Sequence, residues 1–446
     1  MNKAIDSSPG GTDVIVRNAR LSGEDGLQTI VVSQGKVKSI VPSGTDESLK
    51  EKYGSHQLID ANENLAVCGF VDHYTRLREP GFARKGTIGS ESSAALRAGF
   101  TRILCSPDTS PAIDSVATVE LVRQHASQGT QGAKVLPLAA LTVALQGEHL
   151  SELATLKAAG CPAASQADMP LLNTKVLYSA MRYAASFEFP LLLTARDAHL
   201  GSEGCAHTGA IATRLGLPQI PVAAETVSLA TIIELCRETA CRTHVSRIST
   251  ARAVEQIFAA KQSGLPISCD VGIHHLFYTD EFLAGYDSAF HSAVPFRSRK
   301  DRDALRAGLQ SGVIDTICSD HAPHDIDAGL APFPETEPGL SAYDWFIPLL
   351  MQVPRACGLT LDQLIPKLSS SSTDILADRR PATIQVENTA DFFLLDPEAS
   401  PACKSELLSA GHNNPLATHE TESLDLQPLK GCVNAVIMEH ALHFRT

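Results

Sequence analysis

Between Leu65 and Pro366, short apolar runs alternate with stretches that have the periodicity of amphipathic helices. Such alternation predicts a parallel β-sheet built from strand–helix units. Eight units predict a TIM (β/α)8 barrel, an α/β fold whose active sites lie at the carboxyl ends of the strands. A doubly wound open sheet is the alternative. The candidate strands are Ala66–Val71, Arg102–Cys105, Lys134–Leu138, Cys161–Ala164, Pro190–Thr194, Thr243–Ile248, Pro266–Asp270 and Val313–Cys318.

Two of the helices between these strands can be identified from their apolar spacing, which follows the i, i+3, i+4, i+7 rule of a buried helix face. The first apolar stripe consists of Leu229, Ile232, Ile233 and Cys236. The second follows Ser249-Thr250 and consists of Val254, Ile257 and Phe258. We therefore expect both stripes to pack against the barrel.

Both ends of the chain are rich in short β-prone runs separated by turn residues. The runs are Asp13–Arg17, Thr29–Ser33, Val37–Val41, Thr383–Val386, Asp391–Leu395 and Cys432–Met438. Neither end is long enough to close a sheet alone, so we predict one small β-sandwich built from both chain ends. The predicted segments are the N-terminal half of the sandwich at residues 1–62, the barrel at residues 63–378 and the C-terminal half of the sandwich at residues 379–446.

The charge of the chain restricts its partners. Its 446 residues include 37 basic and 50 acidic side chains, a formal net charge of −13. This charge repels phosphate backbones and anionic lipid at long range, so we expect no nucleic-acid or membrane partner. The longest apolar stretch, Val135–Leu145, is too short to span a bilayer, and polar residues follow Met1. These features predict a cytoplasmic protein.

The end of the first predicted barrel strand carries the most specific motif. Residues 69–81 read Gly-Phe-Val-Asp-His-Tyr-Thr-Arg-Leu-Arg-Glu-Pro-Gly. This segment resembles the dihydroorotases, a branch of the metal-dependent amidohydrolases. Four further segments support the resemblance in the expected order, namely Pro107-Asp108-Thr109, Ser249-Thr250-Ala251-Arg252, His274-His275 and Ser319–His324.

The resemblance implies zinc-assisted hydrolysis of a cyclic amide, because bound zinc lowers the pKa of water from about 15.7 to about 7. It also indicates which positions of this chain correspond to the metal ligands of the family. The two histidine positions of strand 1 are Tyr74 and Arg76, and the bridging position after strand 4 is Gln166, with Asp168 two residues away. The histidine positions of strands 5 and 6 are Thr194 and Arg247, and the aspartate of strand 8 is Asp320.

These substitutions remove most of the metal-binding chemistry. A catalytic zinc usually needs three protein ligands, and only Asp320 remains. A guanidinium stays protonated, so Arg76 and Arg247 repel a cation where the family binds one. We therefore predict no catalytic residue, no metal site and no cofactor. A buried Asp320 needs a partner, and we hypothesise that Arg76 or Arg247 forms a salt bridge with it.

The substrate-binding positions implied by the resemblance are also altered. Two asparagines of the family correspond to Asp108 and Ala293 here, which impairs recognition of dihydroorotate. Arg78, which binds the substrate carboxylate in the family, is retained. It could hold a small anion, but we favour a structural arginine paired to Asp320 or Asp72.

Six histidines near the strand ends are candidate ligands that we do not predict to bind metal. Because side chains alternate along a strand, His73 and His244 should point out of the barrel toward the helices. The other four, His274, His275, His321 and His324, are mouth residues without a third donor at suitable spacing.

A barrel that keeps its fold but has lost five of six metal-ligand positions resembles the inactive dihydroorotase homologues that assemble with aspartate carbamoyltransferase. This resemblance implies a non-catalytic subunit that scaffolds this enzyme in pyrimidine biosynthesis, with the aspartate carbamoyltransferase catalytic subunit as partner, and we also expect a homo-oligomer. Trp345 and Phe346 could anchor an interface, although core packing is the favoured interpretation.

Two other functions stay open at this point. One is a weak or altered cyclic amidohydrolase that acts on dihydroorotate or a ureide, with one metal held by Asp320 and the mouth histidines. The other is a small-anion sensor that uses Arg76, Arg78 and Arg247. Tight stoichiometric zinc would favour the first, and ligand-dependent thermal stabilisation would favour the second.

Overall fold

Eight parallel strands form a closed barrel in the computed structural model of the chain. The model describes residues 13–44, 49, 53, 56–128, 132–170, 173–376, 383–401, 413–419, 424, 426–439 and 441–444. The barrel strands are Phe70–Thr75, Phe100–Cys105, Lys134–Pro137 continuing into Ala139–Ala140, Ala164–Ser165, Leu191–Thr194, Thr243–Ser246, Ile267–Gly272 and Thr316–Cys318. A parallel bridge between Thr75 and His321 joins the last strand to the first. The predicted TIM barrel is confirmed.

Helices surround the barrel and fill the connections between its strands. They are Ile88–Arg97, Val116–Gln128, Leu153–Ala158, Thr174–Ala185, Ala210–Leu215, Val222–Thr239, Ala251–Gln262, Arg299–Ser311, Tyr343–Leu350, Val353–Cys357, Leu361–Leu368, Ser370–Ile375 and Pro415–Thr418. A small two-stranded sheet, Ala206–His207 with Gln219–Ile220, lies in the connection after strand 5. Among the helices described, none has both the length and the hydropathy of a bilayer-spanning segment.

The two predicted helix stripes have different outcomes. The stripe of Leu229, Ile232, Ile233 and Cys236 is buried on the helix Val222–Thr239, as predicted. Thr250 caps the next helix by accepting a hydrogen bond from Ala253 N, but Phe258 is half exposed. The buried face of that helix consists of Ala253, Ile257 and Ala260, so Phe258 lies beside the stripe rather than in it. Trp345 and Phe346 are buried in the core, as favoured from the sequence.

Strands from both ends of the chain form one eight-stranded sheet. Their order is Ala441–Phe444, Cys432–Met438, Asp391–Asp396, Leu65–Cys68, Val14–Leu21, Leu27–Ser33 and Lys36–Pro42, with Gln57–Asp60 also paired to Val14–Leu21. One face of this sheet forms an apolar cluster to which residues from both ends contribute, among them Val14 and Ile437. The division into segments 1–62, 63–378 and 379–446 stays a prediction, and its boundary at 378/379 lies outside the described residues, as do residues 1–12.

Several predicted strands differ from those in the structure. Strand 4, predicted at Cys161–Ala164, is Ala164–Ser165, and two other differences have a clear structural cause. Ala66–Val71 is two strands, because Leu65–Cys68 pairs antiparallel with Asp391–Asp396 and the barrel begins at Phe70. Gly69 joins them where a Cβ would overlap Thr101 and Asp391. Residues 383–386 form no strand, since Asn388 Nδ2 donates to the carbonyl oxygen of Thr383 at 3.2 Å and Glu387 has a φ of 71°, which turns the chain.

The barrel interior is filled in layers. The lowest layer consists of Val71, Leu104, Leu138, Ala163 and Leu192, with Leu376 packed against it from the amino-terminal side. Side chains nearer the carboxyl ends of the strands are polar and charged. The packed lower layer thus supports a polar mouth, which is where the sequence places the candidate site.

Candidate functional site

Charged side chains from four barrel strands meet at the mouth. Arg76 follows strand 1, Asp168 follows strand 4, Arg247 follows strand 6 and Asp320 follows strand 8. Thr194 is the last residue of strand 5. The carboxyl ends of parallel strands lie at one end of a barrel, so residues distant in sequence become neighbours there.

Arg247 lies at the centre of this group, with only 1% of its side chain exposed. Its Nη1 donates to Asp320 Oδ1 at 2.9 Å, and its Nη2 donates to Asp168 Oδ1 and, at 3.0 Å, to Thr194 Oγ1. The hypothesis that a guanidinium compensates Asp320 is therefore confirmed, with Arg247 as the partner.

Arg76 forms the second ion-paired guanidinium. Its Nε donates to Asp108 Oδ2 and its Nη2 to Asp168 Oδ2, both at 2.8 Å. Asp168 thus bridges two arginines, one through each carboxylate oxygen. The Tyr74 ring packs against the pair, with Arg247 Cζ 3.5 Å and Arg76 Cζ 5.8 Å from the ring centroid. These are cation–π contacts.

The charges of this network are fixed. Burial opposes ionisation of Asp168, but Arg247 and Arg76 lower its pKa well below the usual range. Burial would also lower the pKa values of the two arginines, but the nearby carboxylates raise both. Asp108 contributes most to the increase for Arg76, and Asp168 contributes most for Arg247. Two cations therefore face three carboxylates, namely Asp108, Asp168 and Asp320.

These residues do not fit the dinuclear zinc centre that the family resemblance implies. A protonated guanidinium has no lone pair to donate to a metal. The two central carboxylates, Asp168 and Asp320, already accept from Arg247, and Tyr74 and Thr194 supply only weakly donating oxygens. We therefore derive no hydrolytic step through a metal at the mouth.

Asp168, and not Gln166, is the residue that reaches the two arginines. The resemblance places the bridging ligand position of the family at Gln166, whose Nε2 donates to the carbonyl oxygen of Leu145 at 2.8 Å and whose Oε1 accepts from Thr142 Oγ1 at 3.0 Å. Asp168 reaches the mouth because Ala167, with a φ of 52°, reverses the chain after the strand. The available signal was a carboxylate, Asp168, two residues after Gln166 and three after the end of the strand at Ser165.

Arg78 does not pair with either predicted carboxylate. Its Nε donates to the carbonyl oxygen of Pro323 at 2.8 Å, and its Nη2 lies 2.9 Å from His324 Nε2. Asp72 instead accepts from Tyr343 Oη at 2.8 Å and from Ser319. Burial lowers the pKa of Arg78 to about 10. The expected salt bridge of Arg78 to Asp320 or Asp72 is wrong.

The four mouth histidines each have a separate partner. His274 Nε2 accepts from Asn414 Nδ2 at 3.0 Å, and His275 Nε2 donates to the carbonyl oxygen of Val294 at 2.9 Å. His321 Nε2 lies 2.7 Å from Glu91 Oε2, and His324 contacts Arg78. Across the described part of the chain, these histidines do not belong to any group of three donors close enough to share an ion.

His73 and His244 point into the barrel, contrary to the expectation from strand alternation. His244 is in register with Leu192, which lines the barrel interior. The His73 ring lies 5.2 Å from the His244 ring across the barrel. Strand alternation mispredicts the two residues for different reasons. The register of strand 1 is irregular between Asp72 and Thr75. The face of His244 was inferred from Arg247, which lies beyond strand 6 and has a φ of 56°.

The two altered substrate positions also have structural roles at the mouth. Asp108 accepts from Arg76, and Ala293 lines a small pocket beside Arg247 together with Glu225 and Arg297. Arg297 is buried and donates to Ser249 Oγ at 3.0 Å. This hydrogen bond holds Arg297 in place in the wall of the pocket.

Comparison with known proteins agrees with this architecture. A family model described as "Dihydro-orotase-like" matches residues 63–253. A "Dihydroorotase-like protein" of Pseudomonas putida is 38% identical over 401 residues, which cover 89% of this chain and 92% of that protein. A "Dihydroorotase" of Thermoanaerobacter sp. (strain X514) is 34% identical over 428 residues, covering 95% of this chain and 94% of that protein. The solved structure of L-hydantoinase (dihydropyrimidinase) from Arthrobacter aurescens has a TM-score of 0.78 at 21% identity and covers 98% of each chain, a likeness of fold alone.

Proposed function

The chain belongs to the dihydroorotase-like family, and we propose that it is a non-catalytic member that scaffolds aspartate carbamoyltransferase in de novo pyrimidine biosynthesis. The observation that carries the proposal is the pair of guanidiniums bound to Asp168 and Asp320 at the barrel mouth. In this pair, permanent cations take the place of the zinc ions that would activate water. The carboxylate retained from the family ligand set is neutralised by Arg247.

Two further described side chains at the mouth are poorly placed for hydrolysis. Asp320 would be the general base, but it is buried and its Oδ1 already accepts a hydrogen bond from Arg247 Nη1 at 2.9 Å. Tyr74, at one of the lost ligand positions, is fully buried between charged groups. A barrel can lose these functions and keep its fold, because packing and catalysis rest on different residues.

The assignment of the partner rests on the resemblance of the sequence to inactive homologues that assemble with this enzyme. A stable complex needs about 1,200–2,000 Å² of buried surface, which a chain of 47.5 kDa can supply. We expect the complex in the cytoplasm, and we expect the subunit to be a homo-oligomer within it. Its role in pyrimidine synthesis is then indirect.

The decisive experiment mixes the purified protein with the aspartate carbamoyltransferase catalytic subunit of the same organism. We expect light scattering to show a larger complex than either component forms alone, and the carbamoyltransferase rate to change on mixing. Unchanged mass together with an unchanged rate would contradict the scaffold proposal. Bovine albumin at the same concentration controls for crowding.

A weak cyclic amidohydrolase is the second candidate, favoured by the 34% identity to a protein named dihydroorotase. Its test is hydrolysis of dihydroorotate and of a ureide, with and without added zinc. We expect rates no higher than those of an Asp320→Asn variant, whose last retained ligand is removed. Zinc-dependent hydrolysis that is lost in this variant would establish the enzyme and displace our proposal.

A further inference from the structure

A second group of metal-capable side chains lies inside the barrel, below the arginine network. It consists of His73 on strand 1, His244 on strand 6 and Asp270 on strand 7, all fully buried. One donor atom from each residue lies within 4.8 Å of the others. None of the three corresponds to a metal-ligand position of the family resemblance.

The hydrogen bonds of His73 leave one ring nitrogen available. Its Nε2 lies 3.0 Å from the carbonyl oxygen of Ser372, which can only accept, so Nε2 carries the proton and donates. The lone pair is therefore on Nδ1, which has no hydrogen-bond partner among the described residues although it is fully buried. An unpaired buried acceptor is costly, and a bound ion would satisfy it.

His244 and Asp270 complete a donor set. His244 Nδ1 lies 2.9 Å from Ser268 Oγ, and its Nε2 lies 2.9 Å from Asp270 Oδ2. Metal-binding histidines are usually held by a hydrogen bond from the other ring nitrogen to a carbonyl, carboxylate or water. The Ser372 carbonyl serves His73 in this way, and the Ser268 hydroxyl can serve His244. His73 Nδ1 is then open to an ion, and His244 Nε2 and Asp270 Oδ2 can bind the same ion in exchange for their mutual hydrogen bond.

The charges around the group favour a cation. Burial and His244 lower the pKa of His73 to about 4, so its imidazole is neutral at physiological pH, and hydrogen bonding from His244 keeps the pKa of Asp270 low despite burial. Asp270 thus brings a carboxylate to two neutral imidazole nitrogens, a donor set that suits a divalent cation.

We propose that His73, His244 and Asp270 bind a divalent transition-metal ion of the zinc class inside the barrel. Two nitrogens and one carboxylate oxygen suit zinc and cobalt. Bonds of about 2.1 Å allow the donors to be at most about 4.2 Å apart, so binding draws the three side chains together by a few tenths of an ångström. The ion takes the place of the proton between His244 Nε2 and Asp270; that proton moves to His244 Nδ1, which donates it to Ser268 Oγ, so the ring stays neutral. Its role is to cross-link strands 1, 6 and 7, with no part in hydrolysis.

The test is the metal content of the intact protein purified from zinc-supplemented cells and dialysed against metal-free buffer. We expect elemental analysis to find about one zinc per chain. His73→Gln keeps a donor for the Ser372 carbonyl but removes the ring nitrogen, and we expect at least a tenfold loss of zinc. His199→Gln, at an exposed histidine, is the matched control and should keep its zinc. Wild-type protein without zinc, or full zinc in His73→Gln, overturns the proposal.

A second measurement needs no variant and therefore cannot fail through misfolding. Protein produced with cobalt in place of zinc should show the visible absorption of a four- or five-coordinate Co²⁺ site. Removal of the cobalt by chelator under mild denaturation should lower the melting temperature. Colourless protein from cobalt-grown cells would contradict the site. Neither outcome depends on whether the protein binds aspartate carbamoyltransferase.

Discussion

Asp168 shows how one buried carboxylate can hold two arginines together. Its two oxygens each accept from a different guanidinium, so a single carboxylate links strands 1, 4 and 6. Buried ion pairs of this kind contribute little over an apolar core, but removing one partner is strongly destabilising because the other charge remains buried. Stability at the mouth should therefore depend on every member of the network.

The first prediction concerns Arg247. Arg247→Met keeps most of the side-chain volume but leaves Asp168 and Asp320 short of a partner, so we expect a loss of about 3–5 kcal/mol in the free energy of unfolding. Urea denaturation followed by circular dichroism measures it. Arg252→Met, at a well exposed arginine paired with Glu255, should change stability by less than about 0.5 kcal/mol. Equal effects of the two substitutions would contradict the described network.

The second prediction is a pH dependence. Burial alone would raise the pKa of Asp168, but Arg247 and Arg76 lower it in the folded state. The ionised Asp168 therefore stabilises the fold at every pH above its unfolded-state pKa of about 3.9. This stabilisation is lost as the pH falls from there through the folded-state pKa. Asp168→Asn should therefore be less stable than wild type by a constant amount between pH 7 and pH 5. The difference in the free energy of unfolding between wild type and Asp168→Asn should become smaller below about pH 4.

Urea midpoints across this pH range give the measurement for both proteins. Asp303→Asn, at an exposed carboxylate paired with Arg302, is the matched control and should show a small gap that salt removes. A gap between wild type and Asp168→Asn that changes between pH 5 and pH 7 would show that another group titrates with the network.

At the scale of elements, Gly69 separates the terminal sheet from the barrel. Strand Leu65–Cys68 belongs to one sheet and strand Phe70–Thr75 to the other, so one residue must pass between two packed layers. A Cβ at Gly69 would overlap the side chains of Thr101 and Asp391. The apolar run from Ala66 to Val71 gives no sign of this break, which explains the single strand predicted there.

The third prediction follows from this close approach. Gly69→Ala should lower the free energy of unfolding by about 1–3 kcal/mol, the usual cost of overpacking a filled interior. Gly285→Ala is the control, because no atom lies within 4 Å of the added methyl group. Chemical denaturation of both variants provides the comparison. A Gly69→Ala variant as stable as wild type would mean that the two layers can separate without cost.

At the scale of the whole molecule, the barrel and its mouth are separable. The lower layer around Val71 and Leu192 is an apolar cluster that includes Leu376, and it has no member in common with the charged group at the mouth. The packing of the barrel and the chemistry of its mouth therefore rest on different residues.

The fourth prediction tests this separability. The variant carries histidine at the four lost imidazole positions: Tyr74→His, Arg76→His, Thr194→His and Arg247→His. Removal of both arginines leaves Asp168 and Asp320 available as ligands. We expect this variant to bind at least one more zinc ion per chain than wild type. Elemental analysis measures the gain, and size-exclusion chromatography with aspartate carbamoyltransferase measures scaffolding, which we expect to be retained. A folded variant without added zinc would show that more than these four side chains prevents metal binding.

Much of the site could be predicted because the relevant chemistry is local. That Arg76 and Arg247 cannot bind zinc follows from their guanidiniums alone, and the pairing of Asp320 follows from the cost of burying a charge. The partners of Arg78 could not be predicted, since His324 and Pro323 are brought to it by a loop distant in sequence. Phe258 was misplaced because a three-residue stripe does not fix the angle of a helix face.

The sequence by itself determined the barrel, the contribution of both chain ends to one β-rich part and the side chains at the ligand positions that the resemblance implies, because apolar periodicity and side-chain chemistry are properties of the chain. Only the tertiary structure decided that Asp168 bridges two arginines and that His73 and His244 face each other inside the barrel. Both arrangements depend on the local path of the backbone, at the positive φ of Ala167 and the irregular register after Asp72. Alternation along a strand holds only while the strand is regular, and these sites lie where it is not.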